Sequence, residues 1–180
     1  MLDSLQIPVS DRDHVRGVPG ARLTLVEYGD FACPFCQAVY PVLKQLLERF
    51  TRDLKLVFRH NPRGELNPGS HVAAQAAEAA GLQGQFWAMH DRLFEQRRAL
   101  DERVVLQLAE QLELDVQVFK GDLHSGPVAL RVREDEIGGL RSGVIGTPTL
   151  FVDGRHFRDK PDLITLSQTV DSTLRSLRAS

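Results

Sequence analysis

The sequence predicts an α/β protein that is interrupted by a large, purely helical insertion. Two strand-like stretches flank one amphipathic helix near the start of the chain, and two more precede an amphipathic helix at its end. Residues 63–139, between these two parts, carry helical patterns only. The order β-α-β, helices, β-β-α indicates a core assembled from 20–62 and 140–178, with 1–19 as an N-terminal extension.

The composition argues against several functional classes. The chain has 22 basic and 24 acidic residues and a net charge of −2, so no positive excess points to nucleic acid or to an anionic membrane. No apolar run approaches the ~20 residues that span a bilayer, and a hydrophobic content of 42% is typical of a globular domain. We therefore expect neither a nucleic-acid nor a membrane partner.

The first part of the chain predicts two strands joined by a helix. Residues 22–28 form a β-branched and aromatic run between two glycines, with both faces largely apolar, as in a central strand covered on both sides. Glu27 is the exception, since it places a carboxylate on an apolar face. Residues 34–50 follow with helical periodicity, interrupted by Pro41, which we expect to kink the helix. A second strand is predicted at 54–58.

Start and stop signals divide the insertion into five helices. Polar caps and prolines at the first helical position mark where helices begin, and glycines mark where they end. The start signals are Asn67-Pro68, Asp101, Asp115 and Pro127, and the stop signals are Gly81 and the Gly138-Gly139 pair. A further helix is predicted from the apolar stripe that begins at Phe86.

The end of the chain predicts a hairpin and a last helix. Strand-like residues at 149–152 and 155–157 flank Asp153-Gly154, and this dipeptide is a strong signal for a two-residue hairpin turn. An amphipathic helix is expected from Pro161 onward.

The N-terminal residues give an expectation for location. Residues 1–13 contain no basic segment followed by a continuous apolar stretch, so they do not have the pattern of a secretory signal peptide. The chain also contains only two cysteines, too few for a disulfide framework. We therefore expect a cytoplasmic protein, or a periplasmic or otherwise extracytoplasmic one if a signal was removed from it.

The two cysteines lie in Cys33-Pro34-Phe35-Cys36, at the point where the first strand ends and the first helix begins. Unpaired N–H groups and the positive end of the helix dipole stabilise an anion at this position, so the thiol of Cys33 is expected to have a lowered pKa and to be the nucleophile. Cys36 lies one turn further along the same helix face and can bridge to it. Pro34 occupies the first helical position, where its missing N–H has no helical partner.

Two other interpretations of the pair exist. A Cys-x-x-Cys motif can supply half of a zinc site, but a second pair of ligands is then required. The six histidines are scattered and form no ligand-spaced pair, so we expect no metal site. The pair could also consist of two buried cysteines without chemistry.

Three motifs in order resemble those of the DsbA-like thiol–disulfide oxidoreductases of the thioredoxin superfamily. They are the stretch 26–36 around the cysteine pair, Pro41, and the stretch 146–152. The resemblance extends over residues 20–177 and implies a thioredoxin fold, in which a central mixed sheet is flanked by helices, with the helical insertion that distinguishes DsbA-like proteins. It also implies exchange of protein disulfides through the cysteine pair, without a further cofactor.

The resemblance assigns roles to further residues. Pro148 matches a cis-proline that faces the cysteine pair, and the backbone of Thr147 is expected to hold an extended substrate beside Cys33. Pro34 and Phe35 complete the expected substrate-binding residues. Glu27 matches a buried acid that takes the proton from Cys36, and its place on an apolar strand face is independent support, because burial raises the pKa of a carboxyl. The matching role of Pro41 is structural.

One motif position departs from the family pattern. Oxidising members carry a histidine immediately before the second cysteine, whereas this chain has Phe35. Asp30 adds a negative charge nearby, which is expected to raise the pKa of Cys33. Both features predict a reduction potential less oxidising than that of those members.

The resemblance therefore predicts thiol–disulfide exchange through a mixed disulfide at Cys33 that Cys36 resolves. The expected partners are protein or small thiol and disulfide substrates and a redox recycling partner. Two alternatives remain open at this point: a glutathione-dependent transferase or isomerase on the same fold, and a non-enzymatic redox sensor or binding domain. The presence of both cysteines argues against the transferase, whose chemistry does not need Cys36.

Overall fold

A five-stranded mixed sheet forms the centre of the fold in the computed structural model, which describes residues 3–179. In chain order the strands are β1 (His14–Arg16), β2 (Leu23–Gly29), β3 (Leu54–His60), β4 (Thr149–Val152) and β5 (Arg155–Phe157). They lie side by side in the order β1-β3-β2-β4-β5. Strands β2 and β3 are parallel, and the other neighbouring pairs are antiparallel.

Seven helices surround the sheet in the described part of the chain. The bounds are α1 (Pro34–Arg49), α2 (Ser70–Leu82), α3 (Phe86–Glu95), α4 (Glu102–Gln111), α5 (Val116–Leu123), α6 (Gly126–Arg141) and α7 (Leu163–Ala179). Helices α1 and α7 pack against each other and cover one face of the sheet. The order of elements confirms the predicted thioredoxin fold with a helical insertion, α2 to α6.

Strand β2 is central because both of its faces are covered. Leu23 and Leu25 are fully buried in the core shared with α1 and α7. Val26 and Tyr28, whose side chains point to the opposite face, pack with Phe151 in a second buried cluster. The carboxyl end of β2 leads directly into the loop before α1, so the rigid centre of the sheet positions the cysteine pair.

One strand was not predicted. His14–Arg16 pairs antiparallel with β3 and brings the N-terminal extension into the sheet. Three residues are too few to give a recognisable alternation of apolar and polar side chains, so the sequence pattern does not mark this strand.

Two helix boundaries differ from the predicted ones. Helix α2 begins at Ser70 behind Gly69, which adopts a φ of 90°, and not at Asn67-Pro68; the Asn67 side chain instead donates a hydrogen bond to Asp30. Helix α6 continues through Gly138 and Gly139 to Arg141. A Cβ atom at Gly139 would lie 3.2 Å from the ring of Tyr28, so this glycine permits close packing and does not end the helix.

Candidate active site

The cysteine pair lies at the amino end of α1. Cys33 is the N-cap residue, with extended backbone angles, and Pro34 follows at the start of the helix. Both cysteines are free thiols in this structure. Cys33 is 5% exposed and Cys36 is fully buried, whereas the side chain of Phe35 between them is 71% exposed. The cysteine at the helix end is therefore nearer to the surface than Cys36.

The surroundings of the two thiols shift their pKa values in opposite directions. Hydrogen bonds from the Cys36 thiol, from the side chain of Thr147 and from backbone N–H groups at the start of α1 lower the pKa of Cys33 to about 5, against the opposing effect of burial. Burial and the hydrogen bond to Cys33 raise the pKa of Cys36 far above its ordinary range. These shifts favour the thiolate of Cys33 and the protonated thiol of Cys36 at neutral pH.

The expected effect of Asp30 on the pKa of Cys33 stays a prediction. Its carboxylate accepts hydrogen bonds from the backbone of Ala32 and from the segment 63–70, including the Asn67 amide at 2.9 Å. The carboxylate is thus directed toward the start of the insertion, and hydrogen bonds at Cys33 hold the pKa of that thiol low.

The loop before β4 lies against Cys33. The peptide bond between Thr147 and Pro148 is cis, as the resemblance predicted. The Cys33 sulfur lies 3.4 Å from the carbonyl oxygen of Thr147. Thr149 donates a hydrogen bond of 2.7 Å to the carbonyl of Gly146 and closes this loop. Backbone groups of the loop therefore lie directly beside the Cys33 sulfur.

Glu27 is buried beneath the cysteine pair. Only 2% of the residue is exposed, and its Oε1 has no hydrogen-bond partner among the described residues. Burial, with a contribution from the charge of Cys33, raises the pKa of Glu27 to about 8. Glu27 in turn raises the pKa of Cys36, so the carboxyl and the buried thiol interact electrostatically.

Gly29 makes room for this arrangement. A Cβ atom at this position would lie 2.5 Å from the ring of Phe58 and 3.2 Å from Oε1 of Glu27. No side chain fits there without displacing the ring, so glycine at the end of β2 lets Phe58 pack against the buried acid.

The structure gathers a group of polar residues that the sequence left scattered. His14 and His60 each place Nε2 within 2.9 Å of Oε1 of Glu78, and Asp135 accepts the backbone N–H of His60. Ligand atoms of His60, Glu78 and Asp135 lie within 4.8 Å of one another. Asp135 also accepts a hydrogen bond from Arg131, so protein donors already balance its charge. The group joins β1, β3, α2 and α6, and the expectation of no metal site stays a prediction.

The sequence of the chain matches the protein family described as Thioredoxin over residues 10–172. The chain belongs to the thioredoxin family. A solved thioredoxin-like oxidoreductase from Silicibacter pomeroyi DSS-3 has 27% sequence identity and a TM-score of 0.83, covering 92% of this chain and 94% of the other. BdbD from Bacillus subtilis in its oxidised form has 24% identity and a TM-score of 0.85, covering 97% and 98%, and supports the fold. The family match and the Silicibacter structure support a thioredoxin-like oxidoreductase, and the BdbD structure supports the fold.

The curated relatives of this chain are longer proteins. The chain is 44% identical over 175 residues to a Na(+)/H(+) antiporter NhaA 1 of Salinispora arenicola. The aligned region covers 97% of the chain and 27% of the antiporter. A Na(+)/H(+) antiporter NhaA of Herminiimonas arsenicoxydans is 39% identical, with 97% and 28% covered. The chain thus spans just over a quarter of the length of these relatives. Within residues 3–179, no helix combines the length and the apolar character needed to cross a bilayer.

Proposed function

We propose that this chain exchanges disulfides of protein substrates through Cys33 and Cys36. The observation that carries the proposal is the pairing of a low-pKa thiol at a helix start with a backbone carbonyl of the cis-proline loop, 3.4 Å from its sulfur. A reactive thiolate and a peptide-binding edge thereby lie side by side. Pro34, Phe35, Thr147 and Pro148 are the residues proposed to contact the substrate.

In the reducing direction, the Cys33 thiolate attacks one sulfur of a substrate disulfide. A mixed disulfide forms and the other substrate sulfur leaves as a thiolate. Cys36 then loses its proton and attacks the Cys33 sulfur, which releases the second substrate thiolate and leaves the Cys33–Cys36 disulfide. Two electrons pass to the substrate, and the reverse sequence oxidises a dithiol.

Glu27 is the proposed acceptor of the Cys36 proton. A carboxyl with a pKa of about 8 is well matched to proton transfer near neutral pH, because general bases work best when their pKa lies close to the working pH. Its proposed role begins when Cys33 enters the mixed disulfide and its negative charge, which also raises the pKa of Glu27, disappears.

Apolar side chains on three segments support an unfolded or flexible protein as substrate. Phe35 on the active-site loop, Leu66 before α2 and Ile145 before the cis-proline are each more than two-thirds exposed. Exposed apolar groups that lie near a reactive centre are typical of an interaction surface. An extended segment with apolar residues around its cysteine fits this surface.

The proposal is tested by turnover with a model disulfide protein and with a reduced dithiol peptide. Wild type is expected to be active, Cys33→Ser inactive, and Cys36→Ser arrested as a mixed disulfide. Full turnover by Cys36→Ser would instead favour the glutathione-dependent transferase or isomerase. Reversible oxidation of the pair without any catalysed exchange would favour the redox sensor. Exchange that needs no added metal or organic cofactor would match the expectation that the cysteine pair is the whole redox centre.

The antiporter relatives favour a particular setting for this activity. We propose that the redox pair acts on cysteines of a membrane transport protein, a partner that differs from the expectation drawn from composition alone. Cys36→Ser protein incubated with membranes should form a disulfide-linked adduct that contains a transporter, and adducts with unrelated proteins alone would contradict this partner. The side of the membrane, and hence a cytoplasmic or extracytoplasmic location, follows from which transporter cysteine is trapped.

A further inference from the structure

A closed set of contacts surrounds the nucleophile and joins three loops. The loop before α1 contains Asp30 and Cys33, the segment before α2 contains Arg63, and the loop before β4 contains Ile145 and Thr147. Each loop contacts the next through a hydrogen bond, and the last contact returns to the sulfur of Cys33.

Asp30 is the centre of this set. The residue is 1% exposed, and its backbone carbonyl accepts the N–H of Cys33 at 3.0 Å. Its own N–H donates to the Cys36 sulfur at 3.5 Å. Its carboxylate accepts the N–H of Ala32 on one oxygen and the N–H of Arg63 on the other. One buried residue thus contacts both cysteines and holds the segment that begins the insertion.

That carboxylate oxygen also receives two side chains from the start of the insertion. Asn67 Nδ2 and Ser70 Oγ both lie 2.9 Å from Oδ2 of Asp30. A buried carboxylate with this many donors is fixed in position, because loss of any donor leaves charge without a partner in a poorly solvated site.

Arg63 continues the set to the third loop. Its backbone N–H donates to Asp30 at 3.2 Å, and its guanidinium donates to the carbonyl of Ile145 at 2.8 Å. Ile145 precedes Thr147 by two residues, and the carbonyl of Thr147 lies 3.4 Å from the Cys33 sulfur. The ring of contacts runs from Cys33 through Asp30, Arg63 and Ile145 to Thr147 and back.

We propose that Asp30 and Arg63 are positioning residues, which together fix the cis-proline loop against the Cys33 sulfur and hold the substrate-binding backbone of Thr147 in place. This inference rests on the proposed exchange function and adds two residues to it. Neither side chain touches the reacting sulfur, so both act through the loops that they join.

The structure predicts two consequences of breaking the Arg63 contact. The side chain of Thr147 donates a hydrogen bond that lowers the pKa of Cys33. Loss of the position of Thr147 therefore raises that pKa, by roughly half to one pH unit for one neutral hydrogen bond. The backbone of Thr147 would also bind substrate less well, so KM for a disulfide peptide rises about fivefold, with a smaller change in kcat. A role limited to stability would change neither quantity.

The test compares Arg63→Ala with Arg22→Ala by thiolate absorbance against pH and by peptide turnover. Arg22 pairs with Asp53 at the opposite end of β2, and its side chain is partly exposed, as is that of Arg63, so it is a matched control. Glu65→Gln removes the ion-pair partner of Arg63 and leaves the contact with Ile145. We expect the shift in pKa and KM for Arg63→Ala only.

A second pair of variants tests Asp30. Asp30→Asn is compared with Asp135→Asn, because Asp135 is a buried carboxylate that also accepts a backbone N–H but lies in the group around Glu78. We expect both variants to lose stability, and only Asp30→Asn to raise the pKa of Cys33; a lowered pKa would report the lost charge of Asp30 alone and would count against the positioning role. This pair decides the question if Arg63→Ala does not fold.

The outcomes separate the two proposals. If wild type exchanges disulfides and both Arg63→Ala and Asp30→Asn titrate like wild type, the positioning role is refuted and the function stands. If wild type shows no exchange, the function is refuted, while the thiolate titration still reports whether the contacts act on Cys33.

Discussion

Replacing the buried acid by its amide, Glu27→Gln, is expected to stabilise the folded protein and to slow its catalysis. The carboxyl is 2% exposed and lies among apolar groups, which raises its pKa from 4.5 to about 8. Glutamine has nearly the same shape and carries no charge at any pH. The comparison therefore isolates the effect of ionising Glu27 in a poorly solvated place.

The pKa values give both the sign and the size of this effect. Below pH 4.5 the carboxyl is protonated in the folded and the unfolded chain, and its ionisation has no effect on stability. Between pH 4.5 and 8 the unfolded chain releases the proton and the folded chain retains it, so the folded state loses about 1.4 kcal/mol per pH unit. The advantage of Glu27→Gln therefore grows over this range to at most about 5 kcal/mol.

Denaturant unfolding of wild type and Glu27→Gln between pH 4 and pH 9 measures the difference. The measurement is best made on the oxidised proteins, in which Cys33 carries no charge. Burial is then the only remaining cause of the raised pKa of Glu27. In the reduced proteins, the pH range over which the stability difference grows should extend to higher pH. A difference in unfolding free energy that stays constant with pH, or that makes the glutamine variant less stable at pH 8, would refute the argument for a raised pKa at Glu27.

Three further predictions follow from the same structure. The pKa of about 5 at Cys33 stabilises the reduced form of the cysteine pair. Equilibration with glutathione buffers should therefore give a reduction potential about 25–50 mV more oxidising than that of thioredoxin, near −245 to −220 mV after allowance for solvent screening. A reduction potential below about −270 mV would contradict this prediction. Gly29→Ala should lower the free energy of unfolding by about 1–3 kcal/mol, since the added Cβ would lie 2.5 Å from the Phe58 ring. An unchanged stability in denaturant would contradict this and show that the ring moves aside without cost. Asp13→Asn leaves the buried guanidinium of Arg59 without its charge partner. The variant should lose about 3–5 kcal/mol of unfolding free energy in thermal or denaturant unfolding, and a loss smaller than that of Gly29→Ala would contradict the role of this buried ion pair.

Local signals in the sequence were sufficient for most of the fold. The strands around Glu27 and the hairpin at Asp153-Gly154 follow from short-range patterns, and the structure confirms them. Asp101 and Asp115 cap α4 and α5 as predicted, because a capping side chain bonds to backbone only two or three residues away. The cysteine pair at a strand-to-helix junction was readable for the same reason.

Features that depend on distant residues could not be predicted. Gly139 reads as a helix end in sequence, yet it lies inside α6 because Tyr28 from β2 packs against it. Asp30 is recognisable in sequence only as a charge beside Cys33, and the folded chain shows that Asn67 and Ser70 donate hydrogen bonds to its carboxylate. His14 and His60 meet at Glu78 although they are 46 residues apart in the numbering. Tertiary contacts, absent from any local pattern, determine all three.

The most direct test of the exchange mechanism is to identify the residue that forms the mixed disulfide. Cys36→Ser protein is mixed with a small disulfide-bonded substrate at pH 7, quenched with acid and analysed by peptide mass spectrometry. The structure predicts a single substrate adduct on Cys33, because its thiolate lies at the start of α1 while Cys36 is buried and protonated. The absence of any adduct in Cys36→Ser, or an adduct on Cys36 in the Cys33→Ser protein at a comparable rate, would contradict it.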